Sequence, residues 1–186
     1  SQDVQANAAL LITSWSEDWY DQLRGQAEGD GLVFKDEKDV VDQWVNRLIF
    51  TAENIRETKL GKPNGDKADG SPQPDLLESR PSARSLQDAI DVLAGVQHAW
   101  SGDISGDHLG IKDLVHDDAS LVAQMDNLFA VSHERLSEIP EPLEQTIYEQ
   151  PEIVQRAQSA LLELQRVLQS DVAANIEITV RFNDND

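Results

Sequence analysis

Residues Glu78-Ser79-Arg80-Pro81-Ser82-Ala83-Arg84-Ser85 set three hydroxyls, two guanidiniums and a carboxylate directly before the apolar-periodic run Leu86 to Trp100. Pro81 disfavours α geometry at Arg80, so the chain before it reads as extended. Ser82 and Ser85 are both good N-caps, and a helix starts at one of them. With Ser85 as the cap, Asp88 takes the third helical position in a variant of the capping box. Leu86, Ala89, Ile90, Leu93, Val96 and Trp100 then form the apolar stripe. A helix N-terminus carries unpaired N–H groups and a partial positive charge, so with Arg80 and Arg84 alongside it suits an anion. The candidate ligand-binding residues are therefore Glu78, Ser79, Ser82, Arg84 and Ser85, in what reads as the one electropositive corner of an acidic chain. Glu78 would orient an arginine or meet a metal carried by the ligand. The competing reading is that the serines only cap a helix and Glu78 pairs with an arginine.

Other residue types offer less chemistry. Asp103, Asp107 and His108 lie close in sequence, as do His116, Asp117 and Asp118, but neither group has the spacing of a His-Glu-x-x-His zinc site or of a calcium loop. They read as solvated loop residues and helix caps. His133-Glu134 has no second histidine at zinc-site spacing, which favours surface placement. Asp184 and Asp186, with Asn183 and Asn185, end the chain in a polar tail that fits a frayed terminus better than a cation site. With no cysteine, a thiolate nucleophile, a disulfide scaffold and a zinc–thiolate site are excluded.

The elements that must carry these residues are helices. Val4, Ala8, Leu11, Ile12, Trp15, Trp19 and Leu23 fall three or four apart and read as the core stripe of a first helix. Asp36 can cap a second, with Val41, Trp44, Leu48, Ala52 and Ile55 facing the same core. It closes in Lys59-Leu60-Gly61-Lys62-Pro63, a basic last turn with glycine at the stop and proline beyond. Gly65, Gly70, Pro72 and Pro74 then mark one long irregular excursion before the central helix. A fourth helix begins at Asp117 or Asp118 and carries Leu121, Met125, Leu128, Phe129, Ser132, Leu136 and Ile139. Pro140 and Pro142 stop it, and 143–148 is a short helical turn. Pro151 opens a final helix with Ile153, Ala157, Leu161, Leu164, Leu168 and Val172. From Ile176 to Phe182 the period changes to two, an extended tail. The expected fold is all-α, a single up-and-down bundle of five main helices over residues 1–186.

Lys and Arg number 15 against 35 Asp and Glu, a net charge of −20, which repels phosphate backbones and anionic lipid headgroups. Nucleic acid is not an expected partner. No apolar run approaches the roughly 20 residues of a membrane helix, and Ser1-Gln2-Asp3-Val4 is not a signal peptide, so an exported form would have lost its leader.

Taken in order, Lys59-Leu60-Gly61-Lys62-Pro63, Glu78-Ser79 with Ser82 and Ser85, Leu93-Ala94-Gly95 leading to Trp100-Ser101-Gly102, and Ile178 to Asp186 resemble the C-terminal half of imelysin-like proteins. This is the bacterial family that includes insulin-cleaving outer-membrane protein and iron-regulated protein A. The resemblance implies two related helical-bundle halves, export to the periplasm or a lipid anchor on the outer membrane, and a link to iron uptake. It also implies a site between the halves, tied to a Gly-x-His-x-x-Glu motif in the N-terminal half and classed as metallopeptidase-like. This chain has no such motif, since none of His98, His108, His116 or His133 is followed three residues later by Glu. The end reads Asn183-Asp184-Asn185-Asp186 where the family tends toward Asp-Gly-Asp. Three expectations follow. The first is an iron-linked binding component whose 78–85 wall faces the other half or another envelope protein and takes an iron chelate or other anion. The second is half of a metal-dependent peptidase, with iron or another divalent metal. The third is a helical module that only mediates contact.

Overall fold

The computed structural model describes residues 2–19, 34, 36–102 and 108–180. Two compact units divide the chain, Ser1–Trp44 and Val45–Asp186. Among the described residues the secondary structure is helical, with no strand.

In the first unit, α1 (Gln2–Thr13) continues as a π-helical stretch, Ser14–Trp19. Ser16 donates its hydroxyl to the Ile12 carbonyl at 2.8 Å, the back-bond a helical serine makes when nothing else claims it. The apolar stripe is present but is not core. Val4, Leu11, Ile12 and Trp15 are between 61% and 69% exposed. The side chain of Trp19 and the whole of Leu23 lie outside the described residues. As expected, Asp36 caps α2 (Glu37–Asn54), accepting the Asp39 N–H at 2.9 Å.

In the second unit the buried face of α2 is Val45, Ile49 and Ala52, continuing to Ile55. Ala52 and Ile55 face the core as expected, but Leu48 is half-buried and Trp44 is 58% exposed, and Val45 and Ile49 take their places. The helical path does not stop at Gly61. It runs on as π-helical Ile55–Gly61 and a further turn, Lys62–Asn64, whose second residue is Pro63. Proline there withholds an N–H from the preceding turn, next to the point where the helical path ends. Gly65, at φ +95°, ends it, and a side chain there would strike the Ser71 carbonyl at 2.5 Å. The excursion that follows is pinned. Gln73 donates its N–H to the Pro63 carbonyl at 2.7 Å, and short 3-10 turns form at Pro74–Leu76 and Arg80–Ser82.

Next come α3 (Ser85–Ser101), α4 (Ala119–Ser137), the short α5 (Leu143–Glu149) and α6 (Pro151–Val167). The last extends through π-helical Leu168–Val172 to Asn175. The stripes expected for α3, α4 and α6 are the buried ones except at Ile90, Leu128 and Ile153, which are half-buried, and α4 lies along α6, with α3 against α4 and the 55–61 stretch. Phe129, Met125, Leu136, Leu161, Leu164 and Leu168 are fully covered. Each such side chain contributes roughly 1.5 to 3 kcal/mol relative to exposure. Beyond Asn175, Ile176 and Glu177 form a turn, and Ile178 donates its N–H to Ala173 at 2.7 Å. Residues 178–180 are irregular rather than a strand, and Asn46 holds them through the Thr179 carbonyl at 2.9 Å. The rest of the expected tail lies outside the described residues.

Candidate functional site

The 78–85 segment is knotted around Ser79. Its carbonyl accepts from the Ser82 N–H (3.2 Å), the Arg84 N–H (3.3 Å) and the Ser82 hydroxyl (3.1 Å). Its own N–H donates to the Ser85 hydroxyl at 3.2 Å, and its hydroxyl donates to the Asp88 carboxylate. Ala83 closes the loop at φ +52°, a left-handed conformation that a side chain tolerates only when its surroundings enforce it. Neither serine caps α3. Arg84 is the N-cap, without a side-chain bond, Ser85 is the first helical residue, and both hydroxyls are spent on Ser79. Asp88, expected to reach back to a cap, instead takes Ser79 and Arg84.

The charges pair differently from the expected pattern as well. Glu78 accepts from Lys59, whose side chain is only 14% exposed, and not from an arginine. Arg80 sets Nε (3.0 Å) and Nη2 (2.7 Å) on one Glu144 oxygen and also meets Asp75. The Glu144 hydrogen bonds and charge, ahead of Asp75, push its pKa up, so it stays a cation. Arg84 reaches Asp91 at 3.1 Å and Asp88 at 3.4 Å. Three cations thus meet five carboxylates, and the corner is not electropositive. An arriving anion must displace one of the chain's own carboxylates. Beside it a crevice of about 20 Å³ lies among Leu77, Arg80, Ala83, Ser85, Pro142, Leu143 and Glu144. That is room for about one water, not for an enclosed chelate. Any ligand here lies on the surface.

A roomier open groove, about 420 Å³, lies among Asp118, Ser120, Leu121, Gln124, Asp171, Ala174 and Asn175. Sequence reading missed it, because Asn175 arrives from the far end of α6. Its amide clamps His116 through the backbone, accepting at 2.9 Å and donating at 3.2 Å. Asp118 caps α4 by accepting the Leu121 N–H at 2.9 Å. The Ser120 hydroxyl, then that N–H, holds its carboxyl below the usual range. The His116, Asp117, Asp118 group is thus a clamp and a cap. Asp103 and Asp107 lie outside the described residues. His133 is half-buried rather than fully on the surface: its Nε2 is buried with no hydrogen-bond partner among the described residues, and burial lowers its pKa.

The family model for the peptidase family Imelysin matches residues 2–170. The chain belongs to the imelysin family. The crystal structure of an imelysin peptidase from Bacteroides ovatus is similar to it, with a TM-score of 0.76 and 18% identity, over 92% of this chain and 50% of that one. At that identity the likeness shows a shared fold, and this chain spans half the length of that relative. No curated protein sequence matches. A metal-dependent activity in this imelysin chain would need a converging donor set. Among the described residues no three of His, Asp and Glu converge to hold a metal ion, and Glu78 is engaged by Lys59. The described residues do not fit a metal centre.

Proposed function

We propose that this imelysin-family chain is one half of an exported envelope protein, in the periplasm or on the outer membrane, that serves iron uptake as a binding component. Its 78–85 wall faces the other half and takes an anionic ligand such as an iron chelate. The observation that carries this reading is the exchangeable state of Arg84. Its side chain is 55% exposed and holds Asp91, itself 56% exposed, at 3.1 Å. An exposed pair of this kind contributes about 0.2 to 1 kcal/mol, little enough for a multidentate carboxylate ligand to replace it. Ser82, also exposed, is the hydroxyl next to it. The knot at Ser79 keeps both in place before a ligand arrives.

The test is titration with ferric citrate beside thermal melts. Arg84→Ala and Ser82→Ala should each weaken binding by about 1 to 3 kcal/mol, the size of a charge-assisted hydrogen bond, while the melting point falls little. Unchanged binding in both variants ends the site hypothesis. The peptidase reading rests on the family and on the half-length match. It predicts no cleavage of an unfolded substrate by this chain alone with added metal, and chelator-sensitive cleavage once a half bearing Gly-x-His-x-x-Glu is supplied.

A further inference from the structure

The stretch Lys59-Leu60-Gly61-Lys62-Pro63 is left without a role by the binding reading, and its surroundings supply one. Lys59 belongs to the π-helical turn Ile55–Gly61, a geometry with weaker hydrogen bonding than an α-helix that persists where neighbours hold it. Two glutamines a heptad apart on α6 hold this one, both only 8% exposed. Gln158 donates its amide to the Arg56 carbonyl at 3.3 Å and to the Asp66 carboxylate. Gln165 accepts from Arg56 Nε at 3.2 Å. The backbone and the side chain of a single residue, three positions before Lys59, are thus fixed from the same helix.

Gly61 makes that grip possible. A Cβ there would lie 2.6 Å from Asp66 Oδ2, 2.8 Å from Gln158 Nε2 and 3.1 Å from the Arg56 carbonyl, so any side chain would drive the amide out. From the gripped turn Lys59 reaches Glu78, at the head of the candidate wall.

We propose that Gly61 and Gln158 are positioning residues for Glu78, acting through Lys59. The inference rests on the binding reading for what Glu78 is positioned to do, but the positioning itself is measured without ligand. Brief amine acylation of the folded chain, followed by peptide mass spectrometry, gives the Lys59 rate relative to exposed Lys67. Glu78→Gln, which removes the partner directly, sets the scale, and Gly61→Ala should match its rise of about fivefold, the factor that loss of a modest ion pair represents. Gln158→Met keeps the volume of the side chain, removes the donor and should raise the ratio in the same direction, so the proposal stays testable if Gly61→Ala folds poorly. A Lys59 ratio unchanged in Gln158→Met while the melting point falls overturns it, as does a rise matched by half-buried Lys112, which reports general loosening. Failure of the ferric citrate titration with the Lys59 ratio still rising would instead sink the binding reading alone.

Discussion

Helices α1 and α6 carry apolar stripes of the same period and each runs on into a π-helical stretch, yet one stripe is open and the other closed. Val4, Leu11 and Ile12 are more than 60% exposed, whereas Leu161, Leu164 and Leu168 are fully buried. Amphipathic spacing shows that a helix has an apolar side. It does not show that anything covers it. The covered stripe is where the second unit holds its free energy, so identical substitutions in the two regions should differ several-fold.

The largest expected effect is on the covered side. Phe129→Ala, on α4 against α6, should cost about 3 to 5 kcal/mol in denaturant titrations, because the residual cavity adds to the lost transfer energy. A cost near that of a surface change would mean α4 and α6 are not packed as described. A second effect has the opposite sign. Ser132 is fully buried and its hydroxyl has no partner among the described residues, so Ser132→Ala should raise stability by about 1 kcal/mol, since an unmade buried hydrogen bond costs about that much. A loss of stability would reveal a partner for the hydroxyl.

Next to it, His133 gives the covered region a pH signature. Burial lowers its pKa in the folded state, so below 6.5 the unfolded chain takes up a proton that the folded chain resists. The stability due to neutral His133 is whole above that pH and is lost as pH falls through 6.5 toward the lowered folded value. Denaturation midpoints at pH 8 and pH 5.5 should converge in His133→Gln relative to the parent. An unchanged difference would place the histidine in water. The smallest effect is the open one. Leu11→Ala should stay within about 0.5 kcal/mol, as surface changes do, and a larger cost would show that the α1 stripe is covered in solution.

The same contrast explains what could be read from the residues. The stripes of α3, α4 and α6 were legible because a repeated three-four spacing over four turns leaves one way to face a core. On α2 the end of the stripe, Ala52 and Ile55, was legible, but burial earlier in the helix belongs to Val45 and Ile49, each one residue beyond the expected Trp44 and Leu48. The chemistry near Ser85 was legible as types and not as partners. Ser82, Ser85 and Asp88 all make bonds, but to Ser79 rather than to the helix end, a choice fixed by the left-handed turn at Ala83. Glu144 lies 64 residues from Arg80, and Lys59 lies 19 from Glu78, separations at which pairing leaves no local pattern. The charge of the wall was therefore misread, because Asp75, Asp88 and Asp91, close in sequence, neutralise its arginines together with the distant Glu144.

The π-helical turns also bear on how such a chain can change by descent. A π turn holds one residue more than the α-helix it interrupts, so deleting a single residue between Ile55 and Gly61 would relax it into an α-helix without breaking the chain. Because the π turn had absorbed that residue, the helix beyond it would keep nearly the same face. Gly61 would stay against the Gln158 amide, and the turn ending at Gly65 would keep its direction. In this stretch length is a looser inheritance than in a regular α-helix: a relative can lack the extra residue and still present Gly61 and the loop through Glu78 from the same face.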